Sequence, residues 1–278
     1  MPEIVTREAV CRIAHEGTWL VTGPLGGRES AAGAAIVTVP TDWDERDLAS
    51  AARNRLDRAG FEYVPTLFTA VDVRQARAAR LDGVCAIATA GLTNPAALAV
   101  DPAEPAVAAD TGTGSGGDEA DLDESSRPDS SDTGPDDSGA GPDLIGTESD
   151  RGGAPGRDRP GGQYRPGTVN LIVTTDRALD SGTQATLLAT IVEAKTATLI
   201  DSTGFTGTTS DAVAVGCRPS GPTASFGGAA TPVGDAARAC VRDAVRAALA
   251  AGDDDPPDSV AAAEAGIRSE RRAAVFEP

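Results

Sequence analysis

Lysine is almost missing from this chain of 278 residues: of 24 basic side chains only Lys195 is lysine, and the rest are arginine. Histidine also occurs once, at His15. That excludes a His-rich metal centre and leaves a Ser-His-Asp triad one candidate, which its place beside Glu16-Gly17 marks as a surface or turn residue. The four cysteines, Cys11, Cys85, Cys217 and Cys240, are far apart with no CxxC pair. Structural zinc and a redox dithiol are therefore unexpected, as are disulfides in a reducing compartment. Aromatics make up 3% of the chain, so the core must come from Ala, Val, Leu and Ile, with less burial per residue. No long apolar span or leader pattern is readable, and Met1-Pro-Glu-Ile-Val-Thr-Arg is mixed, so a cytoplasmic protein is expected.

Acid, by contrast, is abundant, with a net charge of −18. Nucleic acid and anionic membranes are poor partners for such a surface. Residues 101–166 hold 16 acidic residues against five arginines and account for −11 of that charge. The stretch is Gly, Ser, Asp, Pro and Thr with few apolar residues, too few to offset the entropy of ordering it. It reads as a disordered insertion in one domain formed by residues 1–100 and 167–252, with 253–278 as a polar C-terminal tail or helix. The remaining −7, with lysine nearly absent, predicts a protein of molar salt, where self-repulsion is screened.

β-Branched and apolar runs predict strands at Trp19–Thr22, Ala34–Val39, Thr66–Thr69, Val84–Thr89, Val169–Thr174 and Ala212–Cys217. Helical spacing and terminal glycines predict helices at Asp47–Ala59, Val73–Leu81, Gly182–Leu199 and Asp235–Ala251, with a further terminal helix over Ser259–Ala274. Elements of these lengths in mixed order make an α/β or α+β domain, a single layered fold with a mixed sheet and flanking helices.

Chemistry concentrates in residues 168–211. Leu188, Val192 and Leu199 form a helical stripe, and Lys195 takes its missing position, so the ammonium would emerge from the core-facing side. Burying it costs several kcal/mol (roughly) unless an anion or solvated cleft receives it. Glu193, two residues away, points elsewhere, so the partner must come from another part of the fold or from a ligand. Thr206-Gly-Thr-Thr-Ser-Asp211 then sets hydroxyls, a flexible glycine and a carboxylate at a turn, able to bind an anion or position a water. No Gly-Lys-Ser/Thr follows, so it is not a P-loop. Gly23-Pro-Leu-Gly-Gly27 and Gly91-Leu-Thr-Asn-Pro95 end two strands, where glycine permits close backbone approach and Asn94 offers both donor and acceptor to an amide.

In order and spacing, Gly167-Thr-Val-Asn-Leu-Ile-Val, Glu193-Ala-Lys-Thr-Ala-Thr-Leu and the Thr206–Val215 run resemble the adenosylcobinamide amidohydrolases of corrinoid salvage. Thr22–Gly27, Val37–Pro40, Thr89–Ala96 and Thr231–Ala237 fit the same pattern. The family places an arginine after Asn-Pro-Ala, where this chain has Ala97-Leu98, and the turn at Thr208-Thr-Ser has lost a glycine. The resemblance implies hydrolysis of the aminopropanol amide of adenosylcobinamide to adenosylcobyric acid, with a small-molecule corrinoid as substrate and no separate cofactor or metal. A non-catalytic corrinoid- or anion-binding protein on the same scaffold is the alternative. For catalysis the inventory is Asp211 or Glu193 as base for water and Lys195 as electrostatic stabiliser or proton donor, or else Thr208, Thr209 or Ser210 as a nucleophile activated by Lys195. Gly26, Gly27, Asn94, Asn170, Thr206, Gly207, Thr209 and Ser210 are the expected substrate-binding positions.

Overall fold

The computed structural model describes residues 2–99, 169–253, 255–263 and 265–277. Its contacts divide the chain into one unit of Met1–Pro102 with Gly162–Arg272, treated below, and a second of Ala103–Gly161 with Ala273–Pro278, described only over 273–277. The insertion expected at 101–166 lies outside the described residues.

The first unit is a mixed α/β fold. Strands β1 (Glu3–Arg7), β2 (Val10–Val21) and β3 (Gly27–Thr38) form a meander, followed by α1 (Leu48–Arg58) and β4 (Thr66–Thr69). Then come β5 (Arg77–Leu81), β6 (Val84–Ala90) and β7 (Pro95–Leu98). After the insertion follow β8 (Val169–Thr175), α2 (Ser181–Thr203), β9 (Gly207–Thr208), β10 (Ala212–Cys217), α3 (Pro232–Ala250) and β11 (Ile267–Ser269). The main sheet runs β4-β3-β2-β10-β8-β6-β5, with β1 on β2, and a small second sheet runs β11-β7-β9. β8 and β10 are parallel neighbours flanked by antiparallel β6 and β2.

Both faces of the central strands are covered, so β6, β8 and β10 are buried along their whole length. On one face α2 and α3 pack Leu187, Ile191, Leu199, Val241 and Val245 against Leu171, Val173, Val213 and Val215. On the other the sheet curls over itself: Ile13, Ile36 and Leu67 of β2–β4 meet Ile87, Ile172 and Ala214. Each helix starts on a side-chain oxygen that caps a free backbone N–H, from Asp47 to Ser50, Asp180 to Thr183 and Thr231 to Gly234. Gly204, at φ 76°, ends α2 in the left-handed conformation.

Two expected helices are absent. Val73–Leu81 is a 3-10 turn over Val73–Gln75 followed by β5, because Asp82 (φ 46°) and Gly83 (φ 78°) make a two-residue hairpin turn into β6. At the C-terminus, residues 259–263 are turns and Ile267–Ser269 is a strand paired with β7, where a helix over Ser259–Ala274 was expected. His15 also departs from expectation: it lies inside β2 and is 5% exposed.

Candidate functional site

The register brings four chain segments to one edge of the main sheet: the C-terminal ends of β2 and β6, and the N-terminal ends of β8 and β10. Asp211 sits there immediately before β10. From the helix layer α2 projects Lys195, whose Nζ donates to Asp211 Oδ2. The stripe that carries it is turned from the expected one. Leu187, Ile191, Ala194, Lys195, Thr198 and Leu199 are buried while Leu188 and Val192 only flank the core, yet the lysine remains inside at 6% exposure.

Asp211 gathers three donors. Besides Lys195 it receives the Thr208 backbone N–H at 3.1 Å on Oδ2 and the Thr208 hydroxyl on Oδ1. Both ions are largely withdrawn from solvent, with side-chain exposures of 8% and 11%. A charge pair is tolerated at such a depth only when the remaining lone pairs are also satisfied, as here. Gly207 is required: a Cβ there would come within 2.6 Å of Asp211 Oδ2 and 3.4 Å of Lys195 Nζ.

The turn is held from β7. Asn94 Nδ2 donates to Thr209 Oγ1 at 2.7 Å and lies 3.4 Å from Ser210 Oγ, while its carbonyl accepts from Thr209 N. Thr206 is clamped twice onto the Ala96 carbonyl, through its N–H and its hydroxyl. Because Asn94 occupies an acceptor site on each hydroxyl, the exposed Thr209 and half-buried Ser210 keep their own protons for a ligand.

Two expected residues do other work. Glu193 is exposed on α2 and pairs with Arg238 at 3.6 Å, away from the Asp211 cluster. Asn170 is fully buried and uses its amide to tie the backbone together, donating to the Phe68 carbonyl at 2.7 Å and accepting from Ala212 N. It supports the Asp211–Ala212 corner from behind. Gly26 makes the tight β2–β3 turn, where a Cβ would strike the Gly23 and Val21 carbonyls at 2.7 Å, and Gly27 opens β3. That turn reaches the site edge because Thr22 brackets Val213 with two hydrogen bonds. Thr22 and Ala96 stood in the quoted motifs, but their hydrogen-bonding roles escaped sequence reasoning, since their partners lie more than 100 residues away.

A cavity of about 450 Å³ opens beside Gly91, Leu92 and Thr93, walled opposite by Asp72, Gln75 and Asp253. Among the described residues no three His, Cys, Asp or Glu side chains group as metal ligands, and no helix is long and apolar enough to cross a membrane. At the edge a hydroxyl rests on a carboxylate that is itself bonded by an ammonium, an arrangement suited to acyl transfer.

Residues 3–256 match the family model described as adenosylcobinamide amidohydrolase. A curated protein of Halobacterium salinarum named adenosylcobinamide amidohydrolase is 40% identical over 282 aligned residues, which span 100% of both chains. No solved structure matches this chain. With Lys195, Asp211, Asn94 and the Thr206–Ser210 turn all inside the matched stretch, the chain belongs to the adenosylcobinamide amidohydrolase family.

Proposed function

We propose that this protein hydrolyses the amide joining aminopropanol to the corrin side chain of adenosylcobinamide, with Thr208 as nucleophile, Asp211 as proton carrier and Lys195 as the cation that orients and stabilises both. The observation that carries the reading is the chain Thr208 hydroxyl, Asp211 carboxylate, Lys195 ammonium, buried and contiguous. Nucleophile, base and orienting group in that order are what an activated hydroxyl needs.

The Thr208 oxygen adds to the amide carbon while its proton passes to Asp211 Oδ1, giving a tetrahedral oxyanion. Hydroxyl protons of Thr209 and Ser210, held outward by Asn94, are the donors available to that oxyanion. Collapse breaks the C–N bond, and Asp211 returns its proton to the departing amine, leaving an ester on Thr208. Water then adds to the ester and yields its proton to Asp211. Departure of the Thr208 oxygen, reprotonated by Asp211, releases adenosylcobyric acid. Throughout, Lys195 keeps its charge and offsets the negative charge that moves between the carboxylate and the substrate. A cytoplasmic, salt-rich setting goes with this reading, supported by the net charge of −18 and the Halobacterium salinarum relative.

Purified protein in concentrated potassium chloride should release aminopropanol from adenosylcobinamide. Thr208→Ala should lower kcat by about 10³-fold or more, and added hydroxylamine should divert wild-type product to a corrinoid hydroxamate. If Thr208→Ala keeps above about a tenth of wild-type turnover and no hydroxamate forms, attack belongs to a water on Asp211 instead.

A further inference from the structure

We propose that Arg268 is a substrate-binding residue of the Thr208 site, its guanidinium donating to carboxamide oxygens on the rim of the corrin macrocycle. The proposal takes the substrate from the functional reading above; the placement comes from sheet register alone.

β11 runs parallel to β7 with Arg268 beside Ala97, and β7 runs antiparallel to β9 with Pro95 beside Thr208. Paired residues share a face, and so do alternate residues along a strand. Thr208, Pro95, Ala97 and Arg268 therefore form one diagonal row on the same face of the small sheet. Exposure rises along it, from buried Thr208 and Pro95 through half-buried Ala97 to exposed Arg268. Two strand spacings and a two-residue step separate the ends by about 12 Å. Such a row suits a ligand that inserts one side chain to the hydroxyl and leaves a broad body outside, and a macrocycle amide has that shape.

The guanidinium is available. Among the described residues Arg268 has no ion pair or side-chain hydrogen bond, although the chain carries a charge of −18. It borders a cavity of about 440 Å³ together with Leu98, Glu270 and Arg271. A planar fork with five donors matches neighbouring amide carbonyls better than a single ammonium. β11 also lies beyond the stretch matched by the family model, which stops at residue 256, so the C-terminal segment adds this contact to a site built elsewhere.

The test is steady-state kinetics on Arg268→Ala, Arg268→Lys and Ile267→Thr in the full-length protein, with thermal melting and equilibrium dialysis against adenosylcobinamide. Arg268→Ala should raise KM about tenfold with kcat within about twofold and an unchanged melting midpoint, and Arg268→Lys should recover only part of the loss. Ile267→Thr, on the opposite face of the same strand, should leave KM unchanged. An unchanged KM in Arg268→Ala overturns the proposal, as does an equal rise in both variants, which would assign the effect to strand pairing. If wild-type protein binds the corrinoid without cleaving it, the functional reading fails alone: weaker dialysis binding by Arg268→Ala then still supports the contact, and unchanged binding refutes it.

Discussion

The two edges of the main sheet both bury ionisable side chains, and they handle the burden in opposite ways. At the edge where β8 and β10 begin, Lys195 and Asp211 meet largely withdrawn from solvent, with the Thr208 N–H and hydroxyl also donating to the carboxylate. At the edge where the same strands end, His15 sits beside Asp176 and Arg218 at the rim of a cavity of about 300 Å³. Burial pushes its pKa down to about 4, and the Arg218 charge adds to that, against the opposing pull of Asp176 and the Thr175 backbone. Among the described residues its Nε2 has no hydrogen-bond partner, and the ring meets Trp19 edge to face at 5.9 Å. One edge stabilises a buried charge with a directional chain of partners, and the other removes the charge. Only the first arrangement can pass a proton in a defined direction, which is why the proposed chemistry draws on the single lysine and not on the single histidine.

Cutting the chain at the lysine breaks that comparison most severely. Lys195→Ala should abolish turnover and also cost about 3–5 kcal/mol of stability, because Asp211 is left buried without a counter-charge. Lys195→Arg should not restore turnover, since a planar fork does not fit where a point charge reaches one carboxylate oxygen beside Gly207. Lys195→Met combined with Asp211→Asn should recover much of the stability and none of the activity. Turnover assays with urea unfolding check all three, and near-wild-type activity in Lys195→Ala would remove the residue from the site.

The same contrast explains what could be read from the sequence. β4 and β10 were legible to the residue because their apolar runs are bounded by turn formers, and the lysine was legible as a misplaced charge on an apolar helix. Asp211 was legible as a candidate base in its turn, but not as the partner of Lys195, because only the fold sets α2 above it. β7, β9 and β11 escaped because they lack an apolar, β-branched or aromatic run such as the Thr-Leu-Phe-Thr of β4 and exist only through distant pairing. β5 is a different failure, because Asp82-Gly83 is a local hairpin signal that helical spacing in Val73–Leu81 obscured. Glu193 shows the limit of choosing a carboxylate by proximity in sequence: two residues along a helix is the other side.

Acid should expose the second edge. The folded pKa of His15, about 4, lies below its usual 6.5, so the unfolded chain binds more protons between those values. Stability contributed by neutral His15 is complete above pH 6.5, is lost progressively as pH falls to about 4, and changes no further below that. The loss should be about 3 kcal/mol. His15→Leu should flatten the unfolding free energy over that window relative to wild type, measured by urea titration at half-unit steps. A parallel fall in both proteins would mean that carboxylates, and not this ring, set the acid limit.

Removing Glu104–Arg165 and rejoining the ends with a short Gly/Ser linker should have the smallest effect, and it tests whether the active edge is complete. The last described residue before the segment is Ala99, whose N–H bonds the Ser269 carbonyl, and the first after it is Val169, which opens β8 opposite Ala90. Val169 begins the strand whose next residue, Asn170, pairs with Ala212 beside Asp211, while His15 lies at the other end of the same strands. Each halving of the loop relieves about 0.6 kcal/mol of closure entropy, so stability should hold or rise slightly. Turnover should stay within about twofold, because Lys195, Asp211 and Thr208 bond one another outside the excised residues. A large loss of turnover with unchanged unfolding and an unchanged His15 pH profile would show that the acidic segment supplies part of the active edge itself.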